Sequence, residues 1–126
     1  MNSLGIYGIL TLSSAQEFIS MSPEKHDRAL SLTSHLPHIV AFSLINTVPE
    51  NILKLSSGGL KDTTRIAASD SLLWRDVFLS NRANSLKAIK LFEKNLSEIK
   101  SAIKTGNAVF LERLLRKSNR IRESLK

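Results

Sequence analysis

All three histidines of this 126-residue chain fall within thirteen residues, at His26, His35 and His38. His35 and His38 belong to the segment SHLPH and lie three residues apart, so on a helix they share one face. Two imidazoles on one face could bind a metal ion, but no glutamate or third histidine is spaced to complete the ligand shell, and we predict no metal site. His26 lies nine residues before His35, about half a turn out of phase on an ideal helix, so it should point elsewhere unless Pro37 alters the geometry. The alternative is that the three histidines are ordinary surface or core residues with no role in binding.

A second candidate segment, GGLKDTTR, runs from Gly58 to Arg65. A guanidinium is the side-chain group best shaped to hold a carboxylate through two parallel hydrogen bonds. Asp62 could hold the Arg65 guanidinium in place or compete for it, and a plain structural pair is the alternative. Gly58 and Gly59 allow close backbone approach of a ligand but serve equally well as a turn. No GxGxxG and no GxxxxGK[ST] occurs, so the segment is not a phosphate-binding loop.

Trp74 is the only tryptophan and precedes an Arg-Asp pair. Large aromatic side chains dominate the contacts of both protein cores and protein interfaces. Trp74 is therefore either a core residue or an interface anchor.

The net charge of +7 is unevenly distributed, with −1 in residues 1–60 and +8 in residues 61–126. A basic half suggests an anionic partner, which would be nucleic acid, an acidic surface or a small dianion, and a solvated helix surface is the alternative. The absence of cysteine excludes disulfides, thiolate metal sites and a thiol nucleophile, and it fits a cytoplasmic location.

Helix signals recur along the chain, whose length corresponds to one domain. Ser22, followed by Pro and Glu, should begin a long helix that Pro37 kinks or breaks. Residues 56–59, SSGG, predict a loop. Asp70 should cap another helix.

The C-terminal half predicts two more helices. Asn81–Thr105 has apolar residues at steps of three and four, Gly106 should end it, and Asn107 should cap the last helix. We found no alternating stretch long enough to build a sheet. We therefore predict an all-α bundle of about five to six helices, and the extensive apolar faces of the last two predict a homodimer of intertwined helices.

The first residues contain a short apolar run. The apolar run Ile6–Leu12 has no preceding Lys or Arg, which argues against a signal peptide, and it is too short to span a membrane. We interpret residues 1–14 as a leader or a strand-like remnant, with the helical domain at residues 15–126.

Four segments resemble, in order and spacing, the C-terminal helical domain of prephenate dehydrogenase and its relatives, arogenate and cyclohexadienyl dehydrogenase. Each segment is weak evidence alone, but four in order across about sixty residues are specific. The segments are MSPEKHD at 21–27, residues 31–41 around SHLPH, GGLKDTTRIAASD at 58–70 and LWRDVFLSN at 73–81.

The resemblance implies a two-domain subunit in which a Rossmann domain binds NAD or NADP. The helical domain that follows forms the dimer and completes the substrate pocket. The reaction oxidises prephenate, with loss of carbon dioxide, to 4-hydroxyphenylpyruvate on the way to tyrosine.

Residue roles follow by the same resemblance. Arg65 would grip a substrate carboxylate, His38 would line the same pocket, and Asp62 would place or gate Arg65. Gly58 would shape the pocket wall, and Trp74 would reach across the dimer to the partner's pocket. The implied substrate-binding set is Arg65, His38, His35, His26, Gly58 and Asp62.

The sequence departs from the family pattern in two respects. It lacks the cofactor fingerprint, and it lacks the segment with the catalytic histidine that acts as general base in the hydride step. None of the three histidines matches that position, and Leu60 replaces the aromatic residue usual after the two glycines. Hydride transfer needs the nicotinamide held against the substrate. We therefore expect no catalytic and no cofactor-binding residue in this chain, and no dehydrogenase activity of the chain alone.

Three functions remain open. The first is the substrate-binding and dimerisation domain of a prephenate dehydrogenase, acting on prephenate or arogenate and, if the subunit is split, with a separate Rossmann-domain chain. The second is a non-catalytic sensor that binds prephenate or tyrosine through Arg65 and His38. A nucleic-acid-binding helical domain is less favoured, because no aromatic residues interleave with the basic ones and no reader motif occurs.

Overall fold

The computed structural model describes residues 9–12 and 17–125, with side chains from Ser20 onward. Two short strands, β1 (Ile9–Leu12) and β2 (Glu17–Ser20), pair antiparallel. They are an exception to the predicted absence of any sheet, since a hairpin of four-residue strands needs backbone pairing rather than a long alternating pattern. The remainder of the predicted leader, residues 1–8 and 13–14, lies outside the described residues.

The first long helical segment begins as predicted. Helix α1 (Pro23–Leu30) is capped by Ser22, whose hydroxyl oxygen accepts a hydrogen bond of 3.2 Å from the Lys25 backbone N–H. A proline at the first position costs no hydrogen bond, because that N–H has no partner within the helix.

A π-helical turn, Ser31–His35, connects α1 to helix α2 (Leu36–Thr47). In this turn the Leu36 N–H donates to the Ser31 carbonyl, five residues back. Pro37 follows at the second position of α2, where it has no N–H to donate. The change in the hydrogen-bond ladder therefore comes immediately before the proline.

The middle of the chain alternates 3₁₀ and α-helical turns. A 3₁₀ helix (Glu50–Leu55) precedes helix α3 (Gly58–Thr64), and a second 3₁₀ helix (Arg65–Ala68) follows. The two glycines predicted to lie in a loop are instead the first residues of α3. Glycine is tolerated there, since the first N–H groups of a helix lack internal partners. Both α3 and the Arg65–Ala68 turn pack against α2.

Helix α4 (Ser71–Ser80) begins at the predicted cap. One carboxylate oxygen of Asp70 accepts hydrogen bonds from the N–H groups of Leu72 and Leu73, at 2.9 and 3.2 Å. Helix α5 (Arg82–Thr105) follows after a turn at Asn81.

The last connection also matches its prediction. Gly106 adopts a φ of 64°, a left-handed conformation that glycine reaches without a Cβ penalty. Asn107 caps helix α6 (Ala108–Glu123) by accepting a 3.0 Å hydrogen bond from the Phe110 N–H. With six α-helices in the described part of the chain, the all-α class is confirmed.

The chain divides into two compact units, Met1–Ala88 and Ile89–Lys126. The buried hydrophobic residues described in the first are Ala41, Val77 and Ala88, and Ala102 is buried in the second. None of the described helices is both long and apolar enough to cross a membrane.

Candidate functional site

An aromatic contact surface joins α4 to the helical segment that carries the SHLPH sequence. His35, His38 and Phe42 lie three and four residues apart and share a face, and Trp74 and Phe78 lie four apart on α4. The His38 and Trp74 rings stack with centroids 3.5 Å apart and planes at 15°. His35 meets Trp74 at 6.3 Å and 79°, and Phe42 meets Phe78 at 6.3 Å and 85°. Two residues singled out in separate sequence segments, His38 and Trp74, are therefore in direct contact.

His26 and His35 are both buried, with 3% and 2% of their surfaces exposed. On an ideal α-helix they would lie on opposite faces, as the spacing predicts. The intervening π turn, Ser31–His35, contains more residues than an α turn, so it rotates His35 relative to that ideal position. The His26 imidazole lies 3.7 Å from the carboxylate of Asp27.

Asn81, the last residue of the LWRDVFLSN segment, lies next to His35 and Asp27. Its side-chain Nδ2 donates a 2.9 Å hydrogen bond to the Asp27 carbonyl and lies 3.4 Å from Nδ1 of His35. Its Oδ1 accepts a 3.0 Å hydrogen bond from the Asn84 amide. The sequence indicates only that Asn81 lies between two helices. Nothing in its neighbouring residues indicates a hydrogen-bond partner fifty-four residues away.

The surroundings of His35 favour its neutral form. Burial lowers the pKa of His35 below its ordinary value, because the charged form would lose water. The Asp27 carboxylate opposes this shift in pKa, and His38 adds to it.

His38 is half-buried, and its ring orientation is fixed on two sides. Its Nδ1 lies 2.9 Å from the Ser34 carbonyl oxygen, which can only accept, so Nδ1 carries a hydrogen. Neutral His38 therefore has its acceptor lone pair on Nε2. Protonated His38 has a donor there, which can bind an anion.

Arg65, Asp62 and Gly58 are all exposed. Within the described residues no ion pair joins Asp62 to Arg65. A Cβ built on Gly58 would meet no atom within 4 Å. The turn that carries Arg65 packs against α2, the helix of His38, so the fold makes these two elements neighbours and leaves the guanidinium accessible.

Metal and cofactor sites require arrangements that the described residues do not provide. No group of three or more His, Asp or Glu side chains among them is placed to hold a metal ion. A dinucleotide site needs a glycine-rich turn between a strand and a helix. The glycines of α3 follow a 3₁₀ helix instead, so these residues do not fit NAD or NADP.

The profile of a known family, described as "Prephenate dehydrogenase, dimerization domain", matches residues 22–117. The chain belongs to this family. The resemblance read from the four segments is thereby confirmed.

Two curated relatives of the family show how much of an enzyme this chain represents. The cyclohexadienyl dehydrogenase of Zymomonas mobilis subsp. mobilis (strain ATCC 31821 / ZM4 / CP4) is 36% identical over 113 residues, covering 84% of this chain and 39% of the relative. The prephenate dehydrogenase of Bacillus subtilis (strain 168) is 35% identical over 114 residues, covering 86% and 31%. The chain thus spans about a third of the length of these relatives.

Solved structures of the family agree. The prephenate dehydrogenase from A. aeolicus in complex with hydroxyphenyl propionate and NAD+ superposes with a TM-score of 0.77 at 43% identity, covering 84% of this chain and 39% of that one. Arogenate dehydrogenase from Synechocystis gives a TM-score of 0.77 at 28% identity, covering 84% and 41%.

Proposed function

We propose that this chain is the substrate-binding and dimerisation domain of an enzyme that oxidatively decarboxylates prephenate to 4-hydroxyphenylpyruvate with NAD or NADP. The observation that carries this proposal is the stack of His38 on Trp74, on a helix that packs against the turn bearing Arg65. The fold therefore supplies a rigid imidazole beside an element that carries an accessible guanidinium.

The chemistry of these groups suits a substrate with two carboxylates. The Arg65 guanidinium would hold one carboxylate through two charge-assisted hydrogen bonds. Nε2 of His38 would accept from a substrate hydroxyl when neutral or donate to an anion when protonated. Asp62, three residues before Arg65, would compete with the substrate for the guanidinium and so gate it. Gly58 would leave room for the ligand at the wall.

His26 and His35 would support the pocket from behind, since both are buried. The contact of the buried His35 ring with Trp74 fits a role in holding the ring of Trp74 rather than a direct grip on an anion. We also propose that the half-buried Trp74 contacts the pocket of a partner subunit.

Hydride transfer would depend on residues outside this chain. A Rossmann domain of the complete enzyme would hold the nicotinamide, which would supply the hydride acceptor. This chain would bind and orient the substrate and would be inactive alone. Mixing it with a cofactor-binding domain of the family and measuring NADH formation from prephenate tests this division, and no activity at any mixing ratio would count against it.

Substrate binding can be tested without the reaction. Calorimetry with prephenate should show binding that Arg65→Ala weakens by about 1.5–3 kcal/mol, the value of a hydrogen bond to a charged group. Arg75→Ala is the matched control, because Arg75 is an exposed arginine that already pairs with Asp76 at 2.9 Å. An equal loss in both variants would indicate a general effect of charge and would contradict the proposed role of Arg65.

The alternative is a sensor domain that binds prephenate or tyrosine without catalysis. The exposed Arg65 guanidinium and the half-buried His38 imidazole would serve such a ligand equally well. A sensor would bind its ligand in calorimetry but would give no NADH with any cofactor domain, whereas the enzyme domain would do both.

A second copy of the chain is the partner we propose for the exposed apolar side chains. Many large apolar residues of the last three helices are more than half exposed, which is unusual for a stable monomer. They include Leu72, Leu73 and Leu79 on α4, Leu86, Leu91, Leu96 and Ile103 on α5, and Val109 and Ile121 on α6.

A further inference from the structure

We infer that Asn81 is a positioning residue, which fixes His35 in the tautomer that carries its hydrogen on Nε2. The inference starts from three contacts of one buried amide. Nδ2 of Asn81 is 2.9 Å from the Asp27 carbonyl oxygen and 3.4 Å from Nδ1 of His35, and Oδ1 is 3.0 Å from the Asn84 amide nitrogen. Asn81 is only 8% exposed, so water does not readily replace these partners.

The orientation of the Asn81 amide follows from what each partner can do. A backbone carbonyl oxygen only accepts hydrogen bonds, so the atom facing Asp27 must be the nitrogen. The 3.0 Å contact from the side-chain Nδ2 of Asn84 to Oδ1 of Asn81 is compatible with this orientation. A flipped Asn81 amide would place its oxygen against the Asp27 carbonyl oxygen, so that two acceptors would face each other.

The tautomer of His35 follows from that orientation. The amide nitrogen has two hydrogens, one directed to Asp27 and the other available to His35. Nδ1 of His35 can accept it only if Nδ1 carries no hydrogen, and the hydrogen of the neutral ring is then on Nε2. Burial, which disfavours the charged imidazolium, keeps the ring in this neutral form.

Asn81 would also act on the site beyond His35. The His35 ring meets Trp74 edge to face, and Trp74 stacks on His38. The hydrogen bond of Asn81 to the Asp27 carbonyl joins the α4–α5 turn to α1. Through His35, Asn81 would therefore help to fix the positions of the Trp74 and His38 rings. That link to substrate binding rests on the proposed function, whereas the tautomer of His35 does not.

Long-range ¹H–¹⁵N correlation spectra of the histidine rings test the inference on the chain itself, with no ligand. We expect His35 at neutral pH to show an unprotonated Nδ1 and a protonated Nε2. His35→Gln identifies its signals. A wild-type spectrum with the hydrogen on Nδ1, or with both nitrogens protonated, would overturn the inference.

Asn81→Asp replaces the donor by an acceptor of the same shape. Beside a carboxylate, Nδ1 of His35 should gain a hydrogen, so the tautomer should switch or the ring should become protonated. Asp27, which raises the pKa of His35, and His38, which lowers it, act on the ring in the wild type and in the variant alike. The matched control is Asn95→Asp, because Asn95 is exposed on α5, the helix that follows Asn81, and donates to the Leu91 carbonyl of that same helix. A His35 signal unchanged by Asn81→Asp would also overturn the inference.

Asn81→Ala keeps the inference testable if the aspartate variant does not fold. Without the amide, His35 should lose its preference and show an average of the two tautomers. Retention of the wild-type pattern would contradict the inference.

In the complete enzyme, the same variant should raise the KM for the substrate several-fold more than it lowers kcat. If the tautomer result holds and KM is unchanged, the proposed pocket is wrong while the role of Asn81 at His35 stands.

Discussion

The imidazole of His38 lies flat against the indole of Trp74, with ring centroids 3.5 Å apart. The two residues come from different segments and different helices, so their contact joins α2 to α4. The Ser34 carbonyl holds the other side of the same ring through Nδ1. The orientation of Nε2 is therefore set by one local and one long-range contact before any ligand binds.

This stack predicts a measurable coupling between its two members. Aromatic pairs contribute about 0.5–1.5 kcal/mol beyond the area that they bury. A double-mutant cycle of His38→Ala and Trp74→Ala, with free energies of unfolding from urea denaturation, should give a coupling energy in that range. The control cycle pairs His38→Ala with Leu72→Ala and should be additive, because Leu72 is an exposed residue of α4, the helix of Trp74. Additivity of the first cycle would show that the stack contributes nothing.

Gly58 allows stability and binding to be separated. A Cβ at this position meets no atom within 4 Å and Gly58 lies in the first turn of α3, so Gly58→Ala should not destabilise the chain and should stabilise it by up to about 1 kcal/mol. If Gly58 shapes the pocket wall, the same variant should weaken prephenate binding in calorimetry. Gly59→Ala is the matched control, since a Cβ there also meets nothing. Equal binding by wild type and both variants would remove Gly58 from the proposed site.

The lowered pKa of His35 predicts how stability depends on pH. Above the ordinary histidine pKa of 6.5, His35 is neutral in both the folded and the unfolded chain and costs nothing. As the pH falls below 6.5, the unfolded chain takes up the proton more readily, so the free energy of unfolding decreases until the pH passes the folded pKa.

Urea denaturation between about pH 8 and pH 5 measures this dependence. We expect the wild type to lose stability over this interval more steeply than His35→Gln, which has nothing to titrate. His38→Gln should keep a slope steeper than that of His35→Gln but shallower than that of the wild type, because it leaves the buried ring in place and removes the contribution of His38 to the lowered pKa of His35. A slope in His35→Gln as steep as that of the wild type would show that other groups cause the dependence.

The local features of the fold were predictable from sequence. Ser22, Asp70 and Asn107 cap helices by bonds to backbone N–H groups two or three residues away, and Gly106 adopts the left-handed conformation that few other residues tolerate. Each of these preferences depends on the residue type and its near neighbours, so the printed sequence contains the necessary information.

The candidate site was predictable only in its individual residues. The resemblance indicated His38, Arg65 and Trp74, but the residue types do not reveal that Trp74 stacks on His38 of its own chain. The π turn before Pro37 and the contacts of Asn81 depend on packing between segments distant in sequence. Helical periodicity assumes a regular α-helix, so the phase that the spacing predicts for His26 and His35 does not apply across the π turn.

Dimerisation provides the last prediction. In an interface with twofold symmetry each substitution occurs twice, so a charge at one apolar residue of the interface is introduced into both subunits. Ile103 is 64% exposed on α5 and Ile121 is 56% exposed on α6. If a second copy covers them, Ile103→Glu or Ile121→Glu should lose about 1.5–3 kcal/mol per buried side chain and raise the dimer Kd at least tenfold. Sedimentation at micromolar concentration measures the dimer Kd.

Leu55→Glu is the control, because Leu55 is 76% exposed in the 3₁₀ helix outside these faces. A wild-type chain that stays monomeric, or a control that dissociates equally, would show that these apolar faces are not the interface.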